Sequence, residues 1–299
     1  MKIGLIGLGR MGSAIAYRLQ KANINILAFD PSENAKNIAA ELKIEFSSKI
    51  EAISQKVDII WLMVPAGKIV DETIEKLLPH LKKDSIIIDG GNSNFEDSIR
   101  RYNFLKKHQI NFVDCGTSGG LHGRENGFSL MVGGDQNIFE KLKPIFQAIT
   151  AKNGYEHIGP AGAGHYVKMV HNGIEYALLQ AYGEGFNLLK NGHYKNLDLE
   201  KIASVWNHGS IIRSWILNLS VEIFKEDQEL KNISGEIGEN LTGRWTEQEA
   251  EKQNIPLDLI KKSLDIREWS RKSGGNYATK VVAMLRNKFG GHEVKKQDK

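Results

Sequence analysis

The stretch that most restricts the folds open to this chain is GLGRMG at positions 7–12, which follows a short apolar run at 2–6 and opens a helical pattern reaching about residue 21. A second apolar run at 25–29 ends on Asp30. Strand, glycine turn, helix, strand and acid in that order are the front half of a βαβ unit that holds a dinucleotide. Gly7 allows the tight turn, Gly9 lets the backbone approach a pyrophosphate, and Gly12 lets the helix pack closely on the sheet. The helix N-terminus offers N–H groups and a partial positive charge to the phosphates. Asp30, about 20 residues beyond the glycines, is placed to accept ribose hydroxyls. The glycines alone would mark a turn; the flanking elements give them their meaning.

Further near-continuous apolar runs at 57–64, 85–89 and 111–115 read as buried strands of a parallel sheet. Small residues follow each of them: Pro65, Ala66 and Gly67, then Gly90, Gly91, Asn92 and Ser93, then Gly116 to Gly120. Ligands of a doubly wound sheet lie beyond the C-terminal strand ends, so these loops should line one crevice. Asn92 and Ser118 supply hydrogen-bonding groups there, although any one loop alone is ordinary turn chemistry. Arg10, Met11, Val64, Pro65, Ala66 and Asn92 join Gly7, Gly9, Gly12 and Asp30 as the expected cofactor contacts. A last strand is expected at 128–132, with Gly133, Gly134 and Asp135 capping a helix to about Thr150.

The boundary falls near Gly159 and Pro160. Beyond it strand alternation is absent, and helical patterns run over 161–189, 199–207, 212–224, 246–253, 256–271 and 276–288. The fold class is therefore α/β, a Rossmann-type doubly wound parallel sheet over 1–160 followed by an all-helical domain over 161–299 for substrate binding and oligomerisation. A disordered tail is expected from about Glu293.

Composition narrows the function. With 299 residues and 41% hydrophobic content the chain can bury a large core. Its net charge of +4 is spread out except near Lys295, Lys296 and Lys299, which suits small anionic substrates rather than nucleic acid. The single cysteine, Cys115, cannot form an internal disulfide and fits a reducing cytoplasm; on a strand it reads as a small buried hydrophobe. No apolar run reaches the ~18 residues of a membrane span, and glycines interrupt the N-terminus where a signal peptide is continuous. No metal site is expected.

The first helix of the second half carries chemistry. At about 100° per residue, Lys168, Asn172 and Glu175 lie within roughly 60° of one another. The same face continues through Leu179, Tyr182 and Phe186, so it should point into protein. A lysine and a glutamate on a helix are usually a solvated pair, but a solvated pair seldom sits on a face that turns apolar. Beside it runs a second apolar stripe, Val167, Val170, Ile174, Leu178 and Ala181.

GLGRMG at 7–12, IIDGGNS at 87–93, VDCGTSGG at 113–120, GHYVKMVHNGIEY at 164–176, TGRWT at 242–246 and RNKFGGH at 286–292 together resemble the 6-phosphogluconate dehydrogenases, in particular their short-chain form, along nearly the whole chain. The resemblance implies oxidative decarboxylation of 6-phosphogluconate to ribulose 5-phosphate and carbon dioxide, in the pentose phosphate pathway and gluconate utilisation. It implies that Lys168 is the general base at the carbon 3 hydroxyl, Glu175 the acid at carbon 1, and Asn172 their companion. Such a lysine must be lowered from ~10.4, and such a glutamate raised from ~4.3. By the same resemblance Asn92, Ser118, Gly119, Gly120, His171 and Asn172 hold the carboxylate and hydroxyls, and Tyr176, Thr242 and Arg267 the phosphate. Arg286 and His292 match an arginine and a histidine supplied by a partner subunit, which implies a homo-oligomer, most simply a dimer, with shared sites. Asn240 departs from the pattern, since many relatives have a lysine there. Arg213, in GSIIRSW at 209–215, reads better as an exposed or structural arginine.

Asp30 followed by Pro31, where NADP-using relatives tend to have arginine, implies NAD. Two rivals remain on sequence: a 3-hydroxyacid dehydrogenase for a small unphosphorylated substrate, which needs no enediol acid, and an inactive nucleotide-sensing module, against which Lys168, Asn172 and Glu175 stand together.

Overall fold

The computed structural model describes residues 1–296 and divides the chain into two compact units, Met1–Met169 and a second beginning at Val170. In the first unit β1 (Lys2–Ile6), β2 (Asn25–Phe29), β3 (Glu45–Phe46), β4 (Ile59–Leu62), β5 (Ile86–Asp89), β6 (Asn111–Ser118), β7 (Phe128–Gly134) and β8 (Thr150–Gly159) form one sheet, in the order β3-β2-β1-β4-β5-β6-β7-β8. Its helices are α1 (Arg10–Lys21), α2 (Ala35–Glu41), α3 (Glu51–Lys56), α4 (Lys68–Leu77), α5 (Phe95–Lys107), α6 (Gly123–Asn126) and α7 (Gln136–Ile149).

Strands β1 to β6 pair in parallel. The central strands β1, β4 and β5 are buried on both faces, which is why their sequences are nearly continuously apolar. Along β5, Ile86 and Ile88 enter one core with Trp61, Val113 and Phe146, while Ile87 enters the opposite core with Ile60, Leu62, Val70 and Phe112. The order reverses between β1 and β4, the switch point at which such sheets bind ligands.

Three features differ from the sequence reading. Strand β7 runs antiparallel to β6, because the connection over 119–127 is too short for the crossover of about a dozen residues that a parallel pair needs. The edge strands β3 and β8 were not expected: β3 has two residues, and β8, with Lys152, Asn153 and Glu156, lacks an apolar run. The Asp135 side chain makes no cap bond to α7 and instead accepts the Tyr102 hydroxyl at 2.8 Å.

Helix α8 (Ala163–Asn191) begins in the first unit and continues into the second, where it is joined by α9 (Leu199–Asn207), α10 (Trp215–Glu226), α11 (Leu241–Lys252), α12 (Asp258–Ser273) and α13 (Tyr277–Gly290). The compact units divide two turns into α8, because those turns pack on the sheet through glycines. The core of the second unit gathers Leu179 and Phe186 of α8 with Leu199, Leu217, Ile223, Phe224, Val281, Val282 and Leu285. Helix α10 starts later than its apolar pattern because Ser214 caps it, accepting the Leu217 N–H at 3.0 Å. Helix α11 starts earlier because Asn240 accepts the Thr242 N–H at 3.2 Å.

The tail is held at Lys295, whose carbonyl accepts the Ser234 N–H at 2.8 Å, and at Lys296, which bridges to Ile233; the expected disorder otherwise falls on residues 297–299, outside the described ones. Among the described residues no helix is long and apolar enough to cross a membrane, and no group of three or more His, Cys, Asp or Glu side chains could hold a metal ion.

Candidate active site

The glycine turn divides its three duties as the chemistry of a pyrophosphate site requires. Gly7 has a φ of +101°, and a Cβ there would stand 2.3 Å from the Met63 carbonyl oxygen; one on Gly12 would stand 2.0 Å from the Gly7 oxygen. Both glycines are therefore demanded by the chain's own packing. A Cβ on Gly9 would meet nothing within 4 Å, and no side chain caps α1. The open space at Gly9, in front of a helix N-terminus, suits a bound pyrophosphate. Asp30 is fixed at the end of β2 by the Leu8 N–H at 2.7 Å and the Ser32 N–H at 2.8 Å, leaving lone pairs for ribose hydroxyls.

The loops after β1, β4 and β5 interlock. Met63 lies against Gly7 and Gly12 on one side and against Gly90 on the other, and the Val64 oxygen is 3.1 Å from where a Gly91 Cβ would stand. Val64, Pro65, Ala66 and Asn92 thus belong to one set of loops beside Gly9 to Gly12. Next along the sheet, β6 ends at Ser118, and the positive φ of Gly119 and Gly120 turns the chain into the following short helix.

Lys168 is positioned from the strand ends. The Asp114 carboxylate, fully buried on β6, accepts the Gly162 N–H at 2.6 Å and the His165 N–H at 2.8 Å, so a strand residue caps the start of α8. The helix then passes so close to the sheet that a Cβ on Gly164 would lie 2.4 Å from the Met131 oxygen, and one on Gly116 would lie 2.5 Å from the Lys168 Cβ. Lys168 is buried. Cys115, next to Asp114, is fully buried, and its thiol is pushed up by that burial and by the neighbouring carboxylate.

In the second unit, Asn172, Glu175 and Tyr176 follow on α8. A hydrogen-bond series runs from His171 Nδ1 to Asn172 Oδ1 at 3.1 Å and from Asn172 Nδ2 to Thr242 Oγ1 at 3.1 Å. From there the Thr242 hydroxyl donates to Asn240 Oδ1, which also accepts the Tyr176 hydroxyl at 2.6 Å. Asn240 is thus an acceptor that aligns Tyr176 and Thr242.

Over the Tyr176 ring, 3.4 Å from its centroid, lies the Arg267 guanidinium. Arg267 is 1% exposed, and neither of its terminal nitrogens has a hydrogen-bond partner. Burial pushes its pKa down to about 10, and the charge of Arg286 acts in the same direction, against Tyr176 and Glu175. Arg286 is itself buried and lowered by that burial, with its Nη1 3.3 Å from where a Cβ on Gly238 would stand. The nearby Arg244 and Arg271 are paired with Glu239 at 3.0 and 2.7 Å. Two buried cations, one with four idle N–H donors on its terminal nitrogens, make a receptor for a multiply charged anion.

Arg286 lies near Tyr176, Glu175 and Arg267 of its own chain, on α13, which packs through Val281, Val282 and Leu285. His292 curls back over Gly290, with its carbonyl accepting from Asn287 Nδ2 at 2.9 Å. The sequence reading missed Asp89, Asp114, Arg101 and His165, all fully buried in the first unit. For the two aspartates the signal was present: each is a lone charge closing or interrupting a strand of apolar residues.

Residues 2–159 match the NAD binding domain of 6-phosphogluconate dehydrogenase, and residues 164–299 match the 6-phosphogluconate dehydrogenase C-terminal domain. The chain is 46% identical, over the full length of both proteins, to an NAD(+)-dependent, decarboxylating 6-phosphogluconate dehydrogenase of Haloferax volcanii. It is also similar to the solved structure of Plasmodium falciparum 6-phosphogluconate dehydrogenase, described with NADP+ and with 6-phosphogluconate, at 30% identity and a TM-score of 0.83 over 90% of this chain and 62% of that one. A 3-hydroxyisobutyrate dehydrogenase of Mycobacterium tuberculosis shares the fold at 20% identity, with a TM-score of 0.74 over 95% of this chain and 99% of that one. With its glycine turn, its Lys168 helix and its buried arginine pair in place, and with both domain families matched end to end, the chain is a member of the 6-phosphogluconate dehydrogenase family.

Proposed function

We propose that the chain catalyses oxidative decarboxylation of 6-phosphogluconate to ribulose 5-phosphate and carbon dioxide with NAD as oxidant. The observation that carries this reading is Arg267, buried with both terminal nitrogens unpartnered beside Tyr176 and Arg286. Such a group wants a phosphate, and a small unphosphorylated hydroxyacid would leave it unanswered. Gly7, Gly9, Arg10, Met11, Gly12, Asp30, Val64, Pro65, Ala66 and Asn92 would hold NAD, which would supply the hydride acceptor. Lys168 removes the proton of the carbon 3 hydroxyl as the hydride leaves. The 3-keto acid then loses carbon dioxide because its electrons flow into the ketone, and protonated Lys168 stabilises that oxygen. Glu175, two turns along the same helix, protonates carbon 1 as the enediol becomes the ketose.

Asn92, Ser118, Gly119, Gly120, His171 and Asn172 orient the carboxylate and hydroxyls; Tyr176, Thr242, Arg267 and Arg286 hold the phosphate, with His292 nearby in sequence. The test is cofactor reduction followed spectrophotometrically with 6-phosphogluconate, unphosphorylated gluconate and 3-hydroxyisobutyrate. Turnover with the first alone is expected, and turnover of 3-hydroxyisobutyrate without that of 6-phosphogluconate would overturn the reading.

The fixed Asp30 carboxylate supports NAD over NADP, since a 2′-phosphate about 4 Å away is repelled by roughly 1–4 kcal/mol per charge pair. A higher kcat/KM with NAD is expected, and Asp30→Ser should shift the ratio toward NADP by about 10-fold or more. An unchanged ratio would remove Asp30 from this role. Half-exposed Ile174 and Leu178 on α8, with Leu188, Val205 and Ile211 more exposed still, support assembly as a homodimer.

A further inference from the structure

We infer that Arg101 is a positioning residue for the dinucleotide loops, a reading that rests on the cofactor role proposed above for the loops after β4 and β5. Arg101 sits on α5, 1% exposed. Its Nε and Nη2 donate to the two oxygens of Asp71 on α4 at 2.8 and 3.3 Å. Nη2 also donates to the Gly67 carbonyl at 3.0 Å, and Nη1 to Asp89 at the end of β5 at 3.3 Å.

Each acceptor governs a loop. Gly67, at φ +88°, is the residue on which the loop after β4 turns into α4. Asp89 in turn accepts the Ser93 hydroxyl at 2.8 Å and the Gly91 N–H at 3.1 Å, which fixes the two flanks of Asn92. One planar guanidinium therefore sets the spacing of Val64 to Gly67 from Gly90 to Ser93, and Met63 transmits that spacing to Gly7 and Gly12. Lysine keeps the charge, but a single ammonium cannot span three acceptors lying in different directions.

The test measures NAD affinity by calorimetry, without substrate, in wild type, Arg101→Lys and Asp71→Asn, with inorganic phosphate titrated into each as a probe of the Arg267 pocket. Arg101→Lys should weaken NAD binding on the order of 10-fold or more and Asp71→Asn a few-fold, both with phosphate affinity unchanged. Wild-type NAD affinity in a folded Arg101→Lys protein overturns the inference. If Arg101→Lys does not fold, unchanged NAD affinity in Asp71→Asn overturns it, as does parallel loss of NAD and phosphate binding. A wild type that binds NAD but does not oxidise 6-phosphogluconate refutes the proposed reaction and leaves this inference to stand on the two variants.

Discussion

At Arg267 a ligand is written into the protein as a stability deficit. A base whose pKa burial pushes down to about 10, below the ordinary guanidinium range, holds its proton less tightly in the folded chain than in the unfolded one. Its charge therefore destabilises the free protein at neutral pH, a cost that recedes only as pH rises above about 10. A bound phosphate removes the deficit. Arg267→Met should accordingly melt at the wild-type temperature or above while its KM for 6-phosphogluconate rises on the order of 10²-fold. Inorganic phosphate should raise the melting temperature of the wild type alone, with the effect fading as pH passes about 10. A variant with unchanged KM would show that the phosphate binds elsewhere. The chemistry at Lys168 is separable: Lys168→Met should bind NAD and phosphate normally yet lose 10²–10⁴-fold or more in turnover, since no base meets the carbon 3 hydroxyl. Glu175→Gln should instead slow release of finished ketose, and near-normal turnover in Lys168→Met would remove the base from the mechanism.

Helix α8 depends on residues outside itself for its starting point. Asp114 ends two of its free N–H groups with a buried carboxylate, and Gly164 and Gly116 let it approach the sheet to backbone contact. Asp114→Asn removes the charge facing the helix N-terminus and should cost about 1–3 kcal/mol in a denaturant melt, with kcat falling because Lys168 stands one turn beyond the cap. Wild-type stability and kcat together would deny the cap its role. These elements also mark where sequence stops being informative. Strands β1, β2 and β5 were legible because burial on both faces leaves an apolar run between glycine turns. Strand β8 was not, because an edge strand facing water through Lys152 and Glu156 carries no such signature. The direction of β7 depended on the length of a loop rather than on the strand's own residues. In the site, Lys168, Asn172 and Glu175 were legible as one helix face, but Asp114 and Arg101 act across the tertiary structure on loops distant in sequence, and no local spacing records that.

For the molecule as a whole the open physical question is which chain completes which site. Resemblance assigns Arg286 to a partner subunit; the Arg286 of the same chain also lies within electrostatic reach of Glu175 and Tyr176 on α8. The exposed apolar side chains of the second unit, Leu188, Val205 and Ile211 among them, motivate the prediction of association. Dimerisation and site sharing are thereby separate predictions. Sedimentation should find a dimer; a monomer at micromolar concentration that retains full turnover would exclude it. Lys168→Met and Arg286→Ala subunits are each expected to be inactive, and mixing them after demonstrated subunit exchange distinguishes the arrangements. If each chain supplies its own arginine, every site in the hybrid carries one defect and activity stays at the level of the parents. If α13 is exchanged between subunits, one site in each hybrid contains both intact residues and about half the wild-type activity per hybrid returns. The packing of Val281, Val282 and Leu285 into their own unit predicts the first result, and recovery of activity would show that this packing forms across the dimer instead.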